Sequence, residues 1–276
     1  MSVAPSLTGR LVLIGAGKMG TAMLQGWLEA GVRGDQVTIF DPAPPPETMA
    51  VIAQHSISHN PSLDSVSGIE AILVAIKPQM VDEILPAMAN LASGNPLIVS
   101  VVAGKTIAAF RQHFGKDTPV IRTIPNTPAA VGRGITAMAA SDGVSPDQSR
   151  LATALLASLG EVVTVPDEAM IDACTAISGS GPAYIFYMTE CMTAAAMELG
   201  LPADVAEQLA RATVSGAGEL MRATGTTAGV LRENVTSPKG TTYAALQVLM
   251  ADHDGMKQLM IRATAAAEKR SRELAG

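Results

Sequence analysis

The sequence predicts a two-part α/β protein: an N-terminal Rossmann-type doubly wound sheet, followed by a C-terminal all-α dimerisation domain. Three observations carry that prediction. Short apolar runs alternate with helical segments through the first 165 or so residues. A glycine-rich turn directly follows the first run. After Pro166 no strand-like run returns. Strands alternating with helices argue a parallel sheet with helices on both faces.

Taken in order, LVLI (11–14) is continuously apolar, as a strand buried on both faces must be. Residues 18–30 read as an amphipathic helix and VTIF (37–40) as a second strand. Pro42, Pro44, Pro45 and Pro46 cannot enter a sheet centre and mark a loop. AILVAI (71–76) ends at Lys77-Pro78, with a helix to about Leu91. LIVSVV (97–102) and PVIRTI (119–124) flank a helix near 106–114. GITAMAA (134–140), a helix near 146–159 and EVVTV (161–165) complete this half. Beyond it, 167–177, 181–199, 202–223, 242–252 and 255–274 all read as helices. Gly200 and Pro202 give a stop and a start signal at one junction. The expected division is a dinucleotide-binding domain over 1–168 and a helical dimerisation and substrate domain over 169–276.

Composition narrows the function classes. Of 276 residues, 48% are hydrophobic, 16% charged and 3% aromatic, so the chain has a core and disorder is excluded. The net charge of −6, without a basic run, speaks against nucleic acid. No run approaches the roughly 18 apolar residues of a membrane span, and MSVAPSLTGR lacks the pattern of a secretory leader. A cytoplasmic location is expected. Cys174 and Cys191 read as small thiols in a reducing compartment. His55 and His59 read as surface residues, and no histidine joins cysteines or carboxylates at ligand spacing, so no metal is expected. An alanine-rich, aromatic-poor helical half buries little area per residue, so it gains more by pairing with a second copy. A homodimer is expected.

Gly15-Ala16-Gly17-Lys18-Met19-Gly20 is a GxGxxG placed between the LVLI strand and a helix. A dinucleotide pyrophosphate sits on backbone N–H groups at such a helix start. Gly15 permits the tight turn, Gly17 the approach of phosphate and Gly20 the packing of helix on strand. Asp41 ends the second strand, where a carboxylate binds ribose hydroxyls and repels a 2′-phosphate. The alternative is that Asp41 only starts a turn before Pro42. Ala75, Ile76 and Lys77 leave the third strand on the ligand-binding edge, as do Ala103 after the fourth and Asn126 after the fifth. Asn126 is either a nicotinamide contact or a turn former.

In the helical half, Ser178-Gly179-Ser180-Gly181-Pro182 joins two helices with almost no side chain. Ser237-Pro238-Lys239-Gly240-Thr241-Thr242 opens another helix, and free N–H groups with hydroxyls suit a substrate carboxylate or, alternatively, simple N-capping.

LRENVTSPKGTTYAAL (231–246) resembles the signature of pyrroline-5-carboxylate reductases. SGSGPAY (178–184), the GAGKMG loop, VAIKP (74–78), VSVVAGKTI (99–107) and IRTIPNTP (121–128) match the same family in the same order. The resemblance spans about residues 10 to 273. It implies reduction of 1-pyrroline-5-carboxylate to L-proline by hydride from NADPH or NADH, the last step of proline biosynthesis. It further implies that Gly15 to Gly20 hold the pyrophosphate. Asn60, Ala75, Ile76, Lys77 and Ala103 would line the dinucleotide, and Asn234 would reach a cofactor from the helical domain. Glu168, Ser237, Gly240, Thr241 and Thr242 would meet the substrate, Thr242 acting as the catalytic contact to the ring nitrogen. The resemblance also implies interlocked dimers and a decamer of five dimers. Lys239 departs from the family, which places glycine there. The competing readings are a reductase of another cyclic imine, a hydroxyacid dehydrogenase of the same architecture, and a non-catalytic dinucleotide sensor. A dehydrogenase needs a Lys in the helix after the small-residue segment, and 182–199 contains none.

Overall fold

The computed structural model describes residues 7–275, so most of the segment expected to lack a leader lies outside it. In chain order the elements are β1 (Arg10–Ile14), α1 (Lys18–Glu29), β2 (Val37–Phe40), α2 (Pro46–Gln54), β3 (Ser58–His59), β4 (Ile69–Val74) and α3 (Val81–Met88). There follow β5 (Leu97–Ser100), α4 (Ile107–Phe114), β6 (Val120–Ile124), β7 (Gly134–Ala140), α5 (Pro146–Leu156), β8 (Gly160–Thr164) and α6 (Met170–Cys174). The last are α7 (Gly181–Glu198), α8 (Ala203–Thr224), α9 (Ala228–Asn234), α10 (Thr241–Leu249) and α11 (Met256–Ala275). A π-helical turn, Thr175–Gly179, joins α6 to the segment before α7.

The eight strands form one sheet in the order β3-β2-β1-β4-β5-β6-β7-β8. All neighbours are parallel except β6 and β7, so β7 and β8 run opposite to the rest. Each sheet face carries its own core. Leu11, Leu13, Met23, Leu24, Trp27 and Val99 belong to one, and Val12, Ile14, Ile72, Val74, Phe110 and Val120 to the other. This double burial is why the strands are apolar without alternation. Trp27 is fully buried on α1, and its Nε1 donates to Leu155 O at 2.8 Å, tying α1 to α5. Thr136 Oγ1 on β7 is buried without a hydrogen-bond partner among the described residues.

Three short elements escape a reading by pattern. α2 begins on the last proline of the cluster, because Pro is tolerated at the first helical position, where no N–H is needed. β3 has only two residues, paired with Thr38 and Ile39. α9 has seven, too few to display a period.

The chain divides into two compact units, 1–179 with 268–276, and 180–267. The first unit continues beyond 168 because α6 packs on β6 and β7. It also recruits the end of α11, where Ser271 Oγ donates to Asp172 Oδ1 at 2.7 Å. The second unit is helical. α7 and α8 pack on each other, yet Ala206 and Ala210 are its only buried hydrophobic residues among those described.

Candidate active site

Register brings three strand ends to one level: Ile14 pairs with Phe40 on one side and with Val74 on the other. The next residues, Gly15, Asp41 and Ala75, therefore share one edge. They line a groove of about 490 Å³ together with Gly17, Asn60, Ile76 and Lys77. Gly15 has φ +92°, and a Cβ there would run into the Ala75 carbonyl, so only glycine permits this approach. Gly20 packs on the Gly15 carbonyl just as closely. Gly17 differs: nothing lies within 4 Å of where its Cβ would be. The open space faces the start of α1, whose N-cap Gly17 supplies no side-chain cap. A helix start with free N–H groups and room before it fits a pyrophosphate.

The expected cofactor residues occupy distinct positions around this groove. Asp41 Oδ2 accepts from Ala16 N–H at 2.6 Å and Oδ1 from Ala43 N–H at 2.8 Å. Asn60, at φ +46°, accepts from Asp41 N–H through Oδ1 (3.0 Å) and donates to Asp41 O through Nδ2 (2.8 Å). His59, expected at the surface, is half-buried, with Nε2 3.0 Å from the same carbonyl. Lys18 and Ala103 are exposed, and Met19 packs at the edge of the core. Asn126 is turned inward: Nδ2 donates to Ser178 O (3.1 Å) and Oδ1 accepts from Ile135 N–H (2.9 Å).

Glu168 is likewise engaged by main chain. Its Oε1 accepts from Ile107 N–H at the start of α4 (2.8 Å) and from the Arg122 guanidinium (3.1 Å). Arg122 is 4% exposed and also lies 3.6 Å from Asp172. Sequence reasoning missed Arg122, although an arginine inside the apolar strand PVIRTI is a signal that a buried anion awaits it.

In the helical unit, α10 opens at Gly240 without a side-chain cap. Ser237 is exposed, Thr242 half-buried, and Asn234 ends α9 in solvent. Neither Thr241 nor Thr242 hydroxyl has a hydrogen-bond partner among the described residues. By contrast, Thr189, Thr193 and Thr224 each bond a carbonyl one turn back. Lys239 stands at φ +60°, the left-handed region that glycine enters freely. The loop keeps its glycine-type backbone although the side chain is lysine.

Comparison with known proteins places this geometry. A family model described as pyrroline-5-carboxylate reductase dimerisation matches residues 168–274, and one described as NADP oxidoreductase, coenzyme F420-dependent, matches 10–104. The chain is 37% identical to a pyrroline-5-carboxylate reductase of Pseudomonas aeruginosa over 97% of both chains. The chain belongs to the pyrroline-5-carboxylate reductase family. A Synechocystis reductase is 42% identical over 74% of this chain and 75% of its own. A solved pyrroline-5-carboxylate reductase from Coxiella burnetii superposes with a TM-score of 0.89 at 29% identity, covering 98% of this chain and all of the other. Membership explains the bare helical unit: a dimerisation region leaves its apolar residues for another copy, and the protein is a homo-oligomer. No helix is long and apolar enough to cross a membrane among the described residues.

Proposed function

We propose that this protein reduces 1-pyrroline-5-carboxylate to L-proline with NADPH or NADH, in the cytoplasm, as a homodimer that assembles further into a decamer of five dimers. The observation that carries the reading is two helix starts with open N–H groups beside motifs of the family. One follows the glycine loop at the strand edge, and the other carries the hydroxyls of Thr241 and Thr242, unpartnered among the described residues.

The residues divide the work by charge and shape. The N–H groups at the start of α1, beside Gly17, hold the pyrophosphate. Asp41, Asn60, Ala75, Ile76 and Lys77 line the rest of the dinucleotide groove. When bound, the dinucleotide supplies the hydride. The Thr241 and Thr242 N–H groups take the substrate carboxylate, and Ser237 shapes the turn before them, its main-chain O accepting from Gly240 N–H at 3.1 Å. Thr242 Oγ1 bonds the ring nitrogen and sets which carbon is presented. A protonated imine is already electrophilic, so orientation replaces a strong general acid.

The test mixes protein, NADH or NADPH and pyrroline-5-carboxylate and follows the nicotinamide absorbance. Oxidation of the cofactor with formation of proline is expected. Thr242→Ala should lower kcat by about 10²-fold with little change in dinucleotide affinity. Unchanged kcat removes Thr242 from the mechanism, and no turnover by the parent protein overturns the reading. Light scattering on the parent protein reads the dimer and decamer.

A further inference from the structure

We propose that Asp41 makes the dinucleotide groove selective for NADH over NADPH, a statement about the cofactor of the activity proposed above and resting on it. In sheets of this order the adenosine ribose lies at the end of β2, where Asp41 stands. Its carboxylate is fixed before any ligand arrives: Oδ2 takes the Ala16 N–H at 2.6 Å and Oδ1 the Ala43 N–H at 2.8 Å. Its main chain is clamped by both ends of the Asn60 amide. A carboxylate has about four acceptor positions, so after these two bonds it still accepts from two ribose hydroxyls. A 2′-phosphate offers no proton to it and brings a further charge of about −1.5 to −2 against a carboxylate that cannot swing away.

The sequence around Asp41 supplies no compensating cation. The stretch 34–76, which builds β2, α2, β3 and β4, contains no Lys or Arg and five acidic residues: Asp35, Asp41, Glu47, Asp64 and Glu70. Lys77 lines the groove but leaves β4, on the opposite side of β1 from β2. Lys18 is exposed at the start of α1 and is not among the groove-lining residues. His59 turns Nε2 to the Asp41 carbonyl and the Asn60 amide and is not among the groove-lining residues.

The test uses calorimetry with ADP-ribose and 2′-phospho-ADP-ribose, which carry the distinguishing group but undergo no reaction. The parent protein should bind ADP-ribose at least about tenfold more tightly. Asp41→Ser should narrow that ratio. Ala43→Arg, at an exposed position on the groove, should raise affinity for the 2′-phosphate while leaving the Asp41 clamp in place. Parallel kcat/KM ratios for NADH and NADPH should follow the binding ratios. Equal or tighter binding of 2′-phospho-ADP-ribose by the parent protein overturns the proposal, as does a folded Asp41→Ser variant with an unchanged ratio. Because the binding arm needs no imine reduction, it fails or succeeds independently of the substrate assignment.

Discussion

In the sheet unit Leu11, Leu13, Met23, Trp27, Ile72 and Phe110 are all sealed from solvent. In the helical unit Phe186 is 62% exposed, Leu199 85%, Val248 74% and Ile261 52%. Both regions are rich in aliphatic residues, so aliphatic content alone does not separate them. What separates them is where the covering surface comes from. The sheet unit wraps each apolar strand with helices of its own sequence. α7 is apolar on every side and finds too little in its own chain to cover it, as expected of half a core.

That contrast can be broken by substitution. Phe186→Glu should abolish the oligomer at micromolar concentration, read by light scattering, and remove the dependence of thermal unfolding on protein concentration that the associated parent shows. Met49→Glu, a comparably exposed apolar residue on α2, should change stability by no more than about 0.5 kcal/mol. If the two behave alike, the helical unit is not an interface. Trp27→Ala should cost about 3–5 kcal/mol, by leaving a cavity and removing the indole bond to Leu155 O, which keeps the bond from Ser158 Oγ, without altering the assembly equilibrium. Thr136→Val should stabilise the sheet unit by about 1 kcal/mol in chemical denaturation, since it removes a buried hydroxyl that bonds nothing among the described residues.

The smallest effect is at Asp82. Hydrogen bonds from Lys105 and His113 hold its carboxyl below the usual carboxylate range. A lowered value stabilises the fold above the ordinary carboxylate pKa, and the contribution is lost as pH falls through the folded-state value. Asp82→Asn should therefore lower the melting temperature slightly at neutral pH, with the difference from the parent closing in acid. A difference that grows in acid would contradict this.

The sheet unit was the more legible half. Strands buried on both faces announce themselves as apolar runs, and the glycine spacing locates the groove because three glycine positions have separate steric demands. Asp41 was placed by its distance from the loop, but its bonds to Ala16 and Ala43 depend on a turn that sequence does not display. Glu168 illustrates the opposite case. Its partners, Arg122 and the start of α4, come from segments far off in the chain, so no local pattern announces them. Asn126 was ambiguous for the same reason: its two partners lie 9 and 52 residues away. Lys239 could be singled out only through the family, and the positive φ supplies the physical reason that glycine is usual there.

The bond between Asp172 and Ser271 has a consequence for the order in which the protein is made. The two residues are 99 positions apart, with the whole helical unit lying between them in sequence. A ribosome building from the amino end delivers every strand of the sheet well before this stitch can close. The sheet unit is therefore finished last by the segment that follows the helices, and a chain stopped short of residue 268 would carry a complete sheet and a buried aspartate with no serine to receive.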